Sequence, residues 1–536
     1  METSDKKPAP APAPESRFTV SPMTLAADRW MGRLIRIGGV GVVLAVFGML
    51  AFLIFQVFPL FTGAKVAPVG ALTVPAAAVA FGEDEYGDFP YVVQADGKVI
   101  FQRAKDGSKL LEWSPTLGDR RVTAVRSYPR TGLVFLGLSD GSVQELRVVY
   151  RSTFDAAGKR TVEPSVTALE SIVIGKPGVP CVDVWNAKGP QSRLLLVRQE
   201  SAGKPLLTAV RVIERKGLGG KARVTTSAPF VVAADATSVE QVLLPSTAES
   251  LIVVGKSGEV RTYADDGTNF SFLQAFVPFK ESREQAVASA GLIFGNVSVV
   301  FVSRAGEQQV WSMYPQLQPD GKSLRRWGKI HDGVLLAGAG EGVYAAEGNK
   351  CYLAVAGGKL QIRNMTTGSL RWEGDVPAGK ILQVAFAGNY DRFTALSADG
   401  KLHRWSIDDH HPESSWGAFF GKIWYEGATG PDYTWQSSSG SDEFEAKYSM
   451  MPLIYGTAKG TFFALLFALP IALTAAIYVS QFLRPEYRNV VKPVMEIMAS
   501  LPSVVLGFLA GLWLAPLVDP RLISIFCAVG ILAPAA

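Results

Sequence analysis

Leu133-Val-Phe-Leu-Gly-Leu-Ser-Asp-Gly-Ser-Val143 reads as a strand, a tight turn ending in glycine, and a second strand. Alternating apolar residues have the period of a strand, and Asp-Gly supplies the backbone that a two-residue hairpin turn needs. The same pattern returns in Tyr91-Val-Val-Gln-Ala-Asp-Gly-Lys-Val-Ile-Phe101, Leu251-Ile-Val-Val-Gly-Lys-Ser-Gly-Glu-Val260, Tyr352-Leu-Ala-Val-Ala-Gly-Gly-Lys-Leu360 and Phe393-Thr-Ala-Leu-Ser-Ala-Asp-Gly-Lys-Leu402. Gly97, Gly141, Gly203, Gly258, Gly306, Gly358 and Gly400 then mark turns spaced by roughly 42–62 residues, near the period of a propeller blade. Two units add a second turn before a tryptophan, Asp106-Gly to Trp113 and Thr367-Gly to Trp372. Residues 63–410 are therefore expected to form an all-β domain, a seven-bladed β-propeller of four-stranded blades. An irregular all-β domain or two stacked sandwiches is the alternative.

The flanks have a different character, which makes the fold class mixed: transmembrane α-helices plus this large extracytoplasmic β domain. Residues 1–28 begin as an Ala/Pro-rich tail that cannot bury a core and reads as a disordered cytoplasmic segment. Within it, Ser21-Pro22 has the form of a helix start, with serine as N-cap and proline at the first position. Arg29, Arg33 and Arg36 lead into Ile37–Leu60, apolar except for Gln56, so 29–62 is read as a first, uncleaved span. From Thr461 to Val479 there is no charge, and Pro470 lies inside the run; a further apolar run covers 494–516. Lys and Arg near a span stay in the cytoplasm. Arg29, Arg33 and Arg36 before the first span, and Arg484, Arg488 and Lys492 after the second, agree in placing residues 61–450 outside. A closed ring brings its ends together, so it fits between two neighbouring membrane helices.

Residues 411–450 read as a juxtamembrane linker. Its Trp416, Phe419, Phe420, Trp424, Tyr425, Tyr433 and Trp435 have the density of an interfacial aromatic belt, with packing under the propeller as the alternative. Just before it, Asp408-Asp-His-His-Pro-Glu413 has metal-ligand residue types but no fixed ligand spacing, and reads as a solvated turn. Ser437-Ser-Ser-Gly440 reads as a flexible turn, with a small anion nest as the alternative.

Composition excludes several functions. The net charge of +5 comes with no basic tract interleaved with aromatics, so nucleic-acid binding has no support. Cys181, Cys351 and Cys527 have neither disulfide-framework nor metal spacing. There is no Gly-x-x-x-x-Gly-Lys-Ser/Thr stretch for ATP and no His-Glu-x-x-His. Gly137-Leu-Ser-Asp-Gly141 matches a nucleophile elbow, but that motif needs a strand-to-helix turn and a hairpin is expected here. No cofactor and no catalytic residue are expected. A quinone-dependent dehydrogenase propeller has only the two glycine–tryptophan turns behind it.

The membrane part carries more. Pro470 and Pro502 interrupt helical hydrogen bonding inside apolar runs, which membranes tolerate where neighbours or a cavity meet the freed groups. Ser500 and Ser503 flank Pro502 and fall four and seven residues beyond Glu496, near one helical face. Ser500, Pro502 and Ser503 are the candidates for a translocation path, with small-residue helix packing as the bland alternative. Glu496, close to Lys492, reads as an interfacial carboxylate.

The stretch from about Trp424 to Pro516 resembles the permease of phosphate-specific ABC importers, the PstC type. The resemblance is carried by Phe444-Glu-Ala-Lys-Tyr-Ser449, Pro452-Leu-Ile-Tyr-Gly-Thr457 and Glu496-Ile-Met-Ala-Ser-Leu-Pro-Ser-Val-Val-Leu-Gly-Phe508. Arg29 to Gly41 is similar to that family's first span, and the large insert resembles a long subgroup of it. The resemblance implies an inner-membrane subunit that moves inorganic phosphate inward and is not itself an enzyme. It implies as partners a second permease subunit, a cytoplasmic ATPase dimer, a periplasmic phosphate-binding protein and the lipid bilayer. The family's chain continues through further helices and a coupling loop. Residues 451–536 are therefore expected to be a truncated start of the permease domain that does not transport alone. Sulfate or molybdate in place of phosphate, and an anchored propeller acting as an interaction or sensor module, remain as other readings.

Overall fold

All seven turn glycines adopt positive φ, from +75° at Gly203 to +87° at Gly141, Gly258 and Gly306. Each sits between the second and third strand of a separate sheet, so the turn period read from the sequence is one turn per blade. The structure, a computed structural model, describes residues 21–525 and 527 except 76, 155–159, 190–191, 217–221, 318–320, 334–335, 337, 378, 441–443 and 502. The need for glycine is plain at Gly258, where a Cβ would lie 1.9 Å from the Gln285 carbonyl oxygen. At Gly203 the added atom would meet nothing, and only the backbone conformation asks for glycine.

Six blades are antiparallel sheets built from strands consecutive in sequence. The first is Ala78–Gly82, Tyr91–Gln94, Val99–Gln102 and Lys109–Trp113. The seventh breaks the rule. Its first three strands, Ile381–Phe386, Arg392–Ser397 and Lys401–Asp408, take their outer partner from the start of the domain, Lys65–Thr73. Lys65 pairs with Asp408 and Thr73 with Lys401. The domain is a closed seven-bladed propeller, as its turn period implied.

The core consists of seven layers, one between each pair of neighbouring blades. Alternation along the second strands divides each blade between two layers. In Leu133–Leu138, Val134, Leu136 and Leu138 pack towards the first blade, while Phe135 packs with Cys181 and Val184 of the third. In Ser250–Val254, Leu251 and Val253 pack back on the third blade and Ile252 and Val254 forward on the fifth. The last layer joins Phe81, Val92 and Ile100 of the first blade to Leu396 and Leu402 of the seventh. Burial at about 25 cal/mol per Å² of apolar surface drives each layer, and a ring leaves no layer uncovered.

The helices flank this ring in sequence. Pro22–Val57 starts with Ser21 as N-cap, its side chain accepting from the Thr24 amide. The helix therefore begins before residue 29, and residues 22–28, grouped with the tail by composition, are helical. Residues 1–20 lie outside the described residues. Among the described residues three helical stretches are long and apolar enough to cross a membrane: Pro22–Phe61, Met451–Phe482 and Ser503–Ile525. Met451–Ile477 continues through Pro470, so that proline does not divide the span. The third span differs from the expected 494–516. Pro485–Ser500 is a separate helix, ended by an extended Leu501 with φ −70° and ψ 136°. A residue before proline is pushed out of the α region, which ends the helix there. Residues 21–451 and 452–536 form two separate compact units.

The segments that enter and leave the ring meet at Arg371, in the outer strand Leu370–Asp375 of the sixth blade. Its guanidinium lies 2.5 Å from Asp409 Oδ1 and donates from Nε to Oδ2 at 3.1 Å. It also donates to the carbonyls of Thr62 (3.0 Å) and Ser414 (3.1 Å). Its own carbonyl accepts from the Ala64 amide. One side chain thus ties the segment entering the ring to the segment leaving it. Both charges are almost fully buried, at 6% and 2% exposure. Replacing Arg371 with alanine leaves Asp409 buried and uncompensated, and is expected to destabilise the propeller by about 3–5 kcal/mol. Chemical unfolding followed by tryptophan fluorescence checks this. A loss below about 1 kcal/mol, the value of an exposed pair, contradicts it.

Candidate functional site

The two ends of the propeller ring are unlike. The glycine turns occupy one end. The other, the junction face, carries the connections from first to second strand and from third to fourth, because strands alternate in direction. Lys65 and Asp408 are at this face, so the chain enters and leaves the ring on one side. Ser414 Oγ donates to the Leu60 carbonyl at 2.6 Å. Phe61 packs against Trp416 and Phe419 at centroid distances of 4.6 and 5.1 Å. The Met450 amide donates to the Phe419 carbonyl, which brings the residue before the second span to the same place.

The seven linker aromatics divide. Phe419 and Tyr425 are buried, and Trp424 packs against Tyr314 of the fifth blade at a centroid distance of 5.2 Å. Trp416, Phe420, Tyr433 and Trp435 remain exposed, with Trp416 at 66%. The first group is packing and only the second has the exposure of a belt. The Asp408–Glu413 stretch divides in a similar way. Asp409 is the buried partner of Arg371, while His410 pairs with Asp408 and His411 with Glu413. Among the described residues no group of three or more candidate ligands could hold a metal ion. Cys181 and Cys351 are buried free thiols in different layers, and Ser139 accepts from the Arg121 amide within a hairpin turn.

A second charged cluster joins the linker to the sixth blade. Lys350, 6% exposed, lies 2.5 Å from Glu426 and also donates to the Phe294 carbonyl. Glu445 lies beside them in a cavity of about 170 Å³ lined also by Asn364, Glu413 and Phe444. Its Oε1 and Glu426 Oε1 are out of solvent with no hydrogen-bond partner. Burial pushes the Glu445 carboxyl up to about 7, against the lowering influence of Thr366 and Lys350, with Glu426 and Glu413 raising it further. One lysine faces three carboxylates here. Glu445 belongs to the Phe444–Ser449 stretch singled out by resemblance, yet nothing in its spacing announces burial; Lys350, Glu426 and Arg371 carry no sequence signal at all.

Beside this cluster the junction face opens into a cavity of about 860 Å³. Its wall includes Arg130, Glu145, Lys188, Arg193 and Glu347. Arg147 and Arg193 both bond Glu145, and Arg130 donates to the Glu347 carbonyl.

The sequence-based path residues are not brought onto one helical face. Ser500 ends Pro485–Ser500 and Ser503 starts Ser503–Leu509, with the extended Leu501 between them. Pro502 and the Ser500 side chain lie outside the described residues. The orientation charges are on helices or at their starts: Arg29, Arg33 and Arg36 in Pro22–Val57, Arg484 at the N-cap of Pro485–Ser500, and Arg488 and Lys492 within it. That helix is amphipathic: Tyr487, Val490, Val494, Ile497 and Met498 fall on one side and Arg488, Lys492 and Glu496 on the other. This division explains why 494–500 belongs to it and not to the following span.

The Glu445 cluster has a signed pH dependence. With a carboxyl raised in the folded state, the fold holds a proton that the unfolded chain has released between the ordinary carboxylate range and about 7. Its contribution is complete at acid pH and is lost as pH rises through 7. Hydrogen exchange at residues 444–450 is therefore expected to be slower at pH 6 than at pH 8, after correction for intrinsic rates. Glu445→Gln should remove the difference; a difference that survives in that variant assigns it to another group.

No family model matches the chain. Over 74 residues it is 31% identical to "Probable ABC transporter permease protein YqgH" of Bacillus subtilis (strain 168). That stretch is 14% of this chain and 24% of the relative, so the chain spans about a quarter of the curated protein it matches. Among solved structures it is similar to the β-propeller domain of Cps50 (Swd1) of Myceliophteria thermophila, with a TM-score of 0.42 at 10% identity, covering 64% of this chain and 100% of that one. A chain of a mitotic checkpoint complex has a TM-score of 0.42 at 12% identity, covering 64% and 95%. The blade order described above, not these scores, defines the propeller. Three helices among the described residues long and apolar enough to cross a membrane, with a short likeness to an ABC transporter permease, describe a membrane protein with a permease-like stretch.

Proposed function

We propose that this chain is a permease subunit of an ABC importer that moves inorganic phosphate across a bacterial inner membrane, with residues of about 61–450 on the periplasmic side. The observation that carries the reading is the permease likeness, in a chain whose propeller enters and leaves on one face and is flanked in sequence by apolar helices. Phosphate itself rests on the Phe444–Ser449, Pro452–Thr457 and Glu496–Phe508 stretches. On this reading the chain performs no covalent chemistry and needs no cofactor. ATP is hydrolysed by a cytoplasmic ATPase dimer, a second permease subunit completes the channel, and a periplasmic protein delivers phosphate. Arg29, Arg33, Arg36, Arg484, Arg488 and Lys492 set the orientation.

A second reading, an anchored propeller acting as an interaction or sensor module, is favoured by the 860 Å³ cavity on the junction face. Uptake separates the two. A strain lacking only this gene is expected to take up labelled phosphate poorly and labelled sulfate normally; normal phosphate uptake favours the sensor.

The helix break between Ser500 and Ser503 is the proposed lining of the path. Backbone groups freed at a break where a span begins need a polar partner, and two flanking hydroxyls can supply one. Replacing both serines with valine, in the complete transporter, is expected to slow phosphate uptake at unchanged protein level in the membrane. Unchanged uptake would assign the serines to packing.

A further inference from the structure

Between the second and third candidate spans the chain makes a helix of a different kind. The second span ends at Phe482, Pro485–Ser500 begins three residues later, and the third span begins at Ser503. The second span carries no charge from Thr461 to Val479, whereas Pro485–Ser500 is divided lengthwise. At about 100° per residue, Tyr487, Val490, Val494 and Met498 fall within roughly 80° of one another. Arg488, Asn489, Lys492 and Glu496 occupy the opposite side. The four apolar side chains are 48–65% exposed, so no part of the described structure covers them.

Length and attachment select what does. Ser503–Ile525 has 23 residues and at about 1.5 Å per residue reaches roughly 34 Å, enough to cross a hydrocarbon core of about 30 Å by itself. With Pro485–Ser500 added as one rod it would reach about 60 Å, twice what a bilayer needs. The extended Leu501 prevents that rod. At the other end Leu483 (ψ 132°) and Arg484 (ψ 145°) are extended and join the helix to Phe482. At about 3.3 Å per residue, neither link lets an end of the helix move more than about 10 Å from a span. A helix of 16 residues, about 24 Å long, tied so closely to membrane spans at both ends has the bilayer surface along its whole length.

The charges decide how it is held there. Arg484, Arg488 and Lys492 against Glu486 and Glu496 leave a net charge of +1 over residues 484–500. One such charge beside an anionic leaflet is worth about a fivefold gain in partition, so the apolar stripe carries the attachment. A stripe of this kind with a charged back matches the headgroup–acyl boundary, where one side of a helix meets hydrocarbon and the other meets water.

We propose that Pro485–Ser500 is an interfacial helix that lies flat on the cytoplasmic leaflet, with Tyr487, Val490, Val494 and Met498 sunk among the acyl chains and its charged side in water. The sidedness follows from Arg484, Arg488 and Lys492. The helix pins the ends of two spans at headgroup depth. It also puts the Ser500–Ser503 break at that depth, at the inner mouth of the proposed path and not in the middle of the bilayer. The inference rests on the membrane-spanning reading of Met451–Phe482 and Ser503–Ile525 and is independent of what the protein transports.

The test uses the full chain in nanodiscs with Cys527 replaced by serine, since Cys181 and Cys351 are buried. Spin labels are attached singly at Val490→Cys, Val494→Cys and Met498→Cys, on the other side at Asn489→Cys and Glu496→Cys, and within the second span at Leu466→Cys. Collisions with oxygen, which dissolves in lipid, and with a water-soluble nickel chelate report the surroundings of each label. The ratio of oxygen to chelate collisions is expected to be several-fold higher at the three apolar positions than at the two polar ones. The three should share one shallow depth, about 5–10 Å into the headgroup–acyl boundary, in discs with or without phosphatidylglycerol. A depth that grows by about 12 Å from Val490 to Met498, the rise of a spanning helix, overturns the proposal. So does equal access of the chelate to both sides. Shielding of the three apolar positions from both probes overturns it in favour of a protein partner. Chelate access at Leu466 overturns the spanning reading, and the inference with it.

Discussion

The buried ion pair between Arg371 and Asp409 holds together everything the chain does with its two ends. The pair alone contributes little net stability, since desolvating both charges offsets most of their attraction. Its effect is conditional: once the ring is closed, neither partner can leave without stranding the other. Arg371 also donates to two loop carbonyls, those of Thr62 before the ring and Ser414 after it. Entry strand, exit loop and sixth blade are fixed to one another by a single guanidinium, whose planar fork suits several acceptors at once.

Closure then settles a problem that any sheet of this length faces. Each blade has an apolar residue set on both of its sides, so an open row of blades would end in two bare faces. Lys65–Thr73, donated from the start of the domain to the seventh blade, converts the row into a ring and makes the last layer from residues far apart in sequence. Cross-layer polar contacts reinforce it at the seam, where Arg392 pairs with Glu83 and Gln383 accepts from the Phe81 amide. A domain closed in this way presents both chain ends on one face, which is what insertion next to membrane helices requires.

On that face, tightly packed and loosely satisfied groups lie side by side. The Arg371 site is saturated with partners. The Lys350–Glu426–Glu445 cluster is short of positive charge and leaves two carboxylate oxygens unmet, and it holds the residues that immediately precede the Met451–Phe482 span. Unmet polar groups in such a low-dielectric site are costly, whereas a fully satisfied one is rigid.

The sequence by itself determined the number of blades, their strand pattern and the existence of apolar helices, because each is a local, repeated signal. A positive-φ glycine recurs at every second turn of every blade, and strand alternation needs no knowledge of neighbours. It also marked Ser21 as a helix cap, which depends only on adjacent residues. Tertiary structure alone decided the rest. Asp409 looked like part of a solvated acidic turn and became the buried partner of an arginine in another blade. Phe419, Trp424 and Tyr425 were indistinguishable in sequence from the exposed Trp416 and Trp435, because exposure depends on which blade lies above each ring. Ser500 and Ser503 have the spacing of one helical face, yet Leu501 turns the backbone between them. Long-range contacts decide burial, charge pairing and strand exchange, and a linear pattern does not contain them.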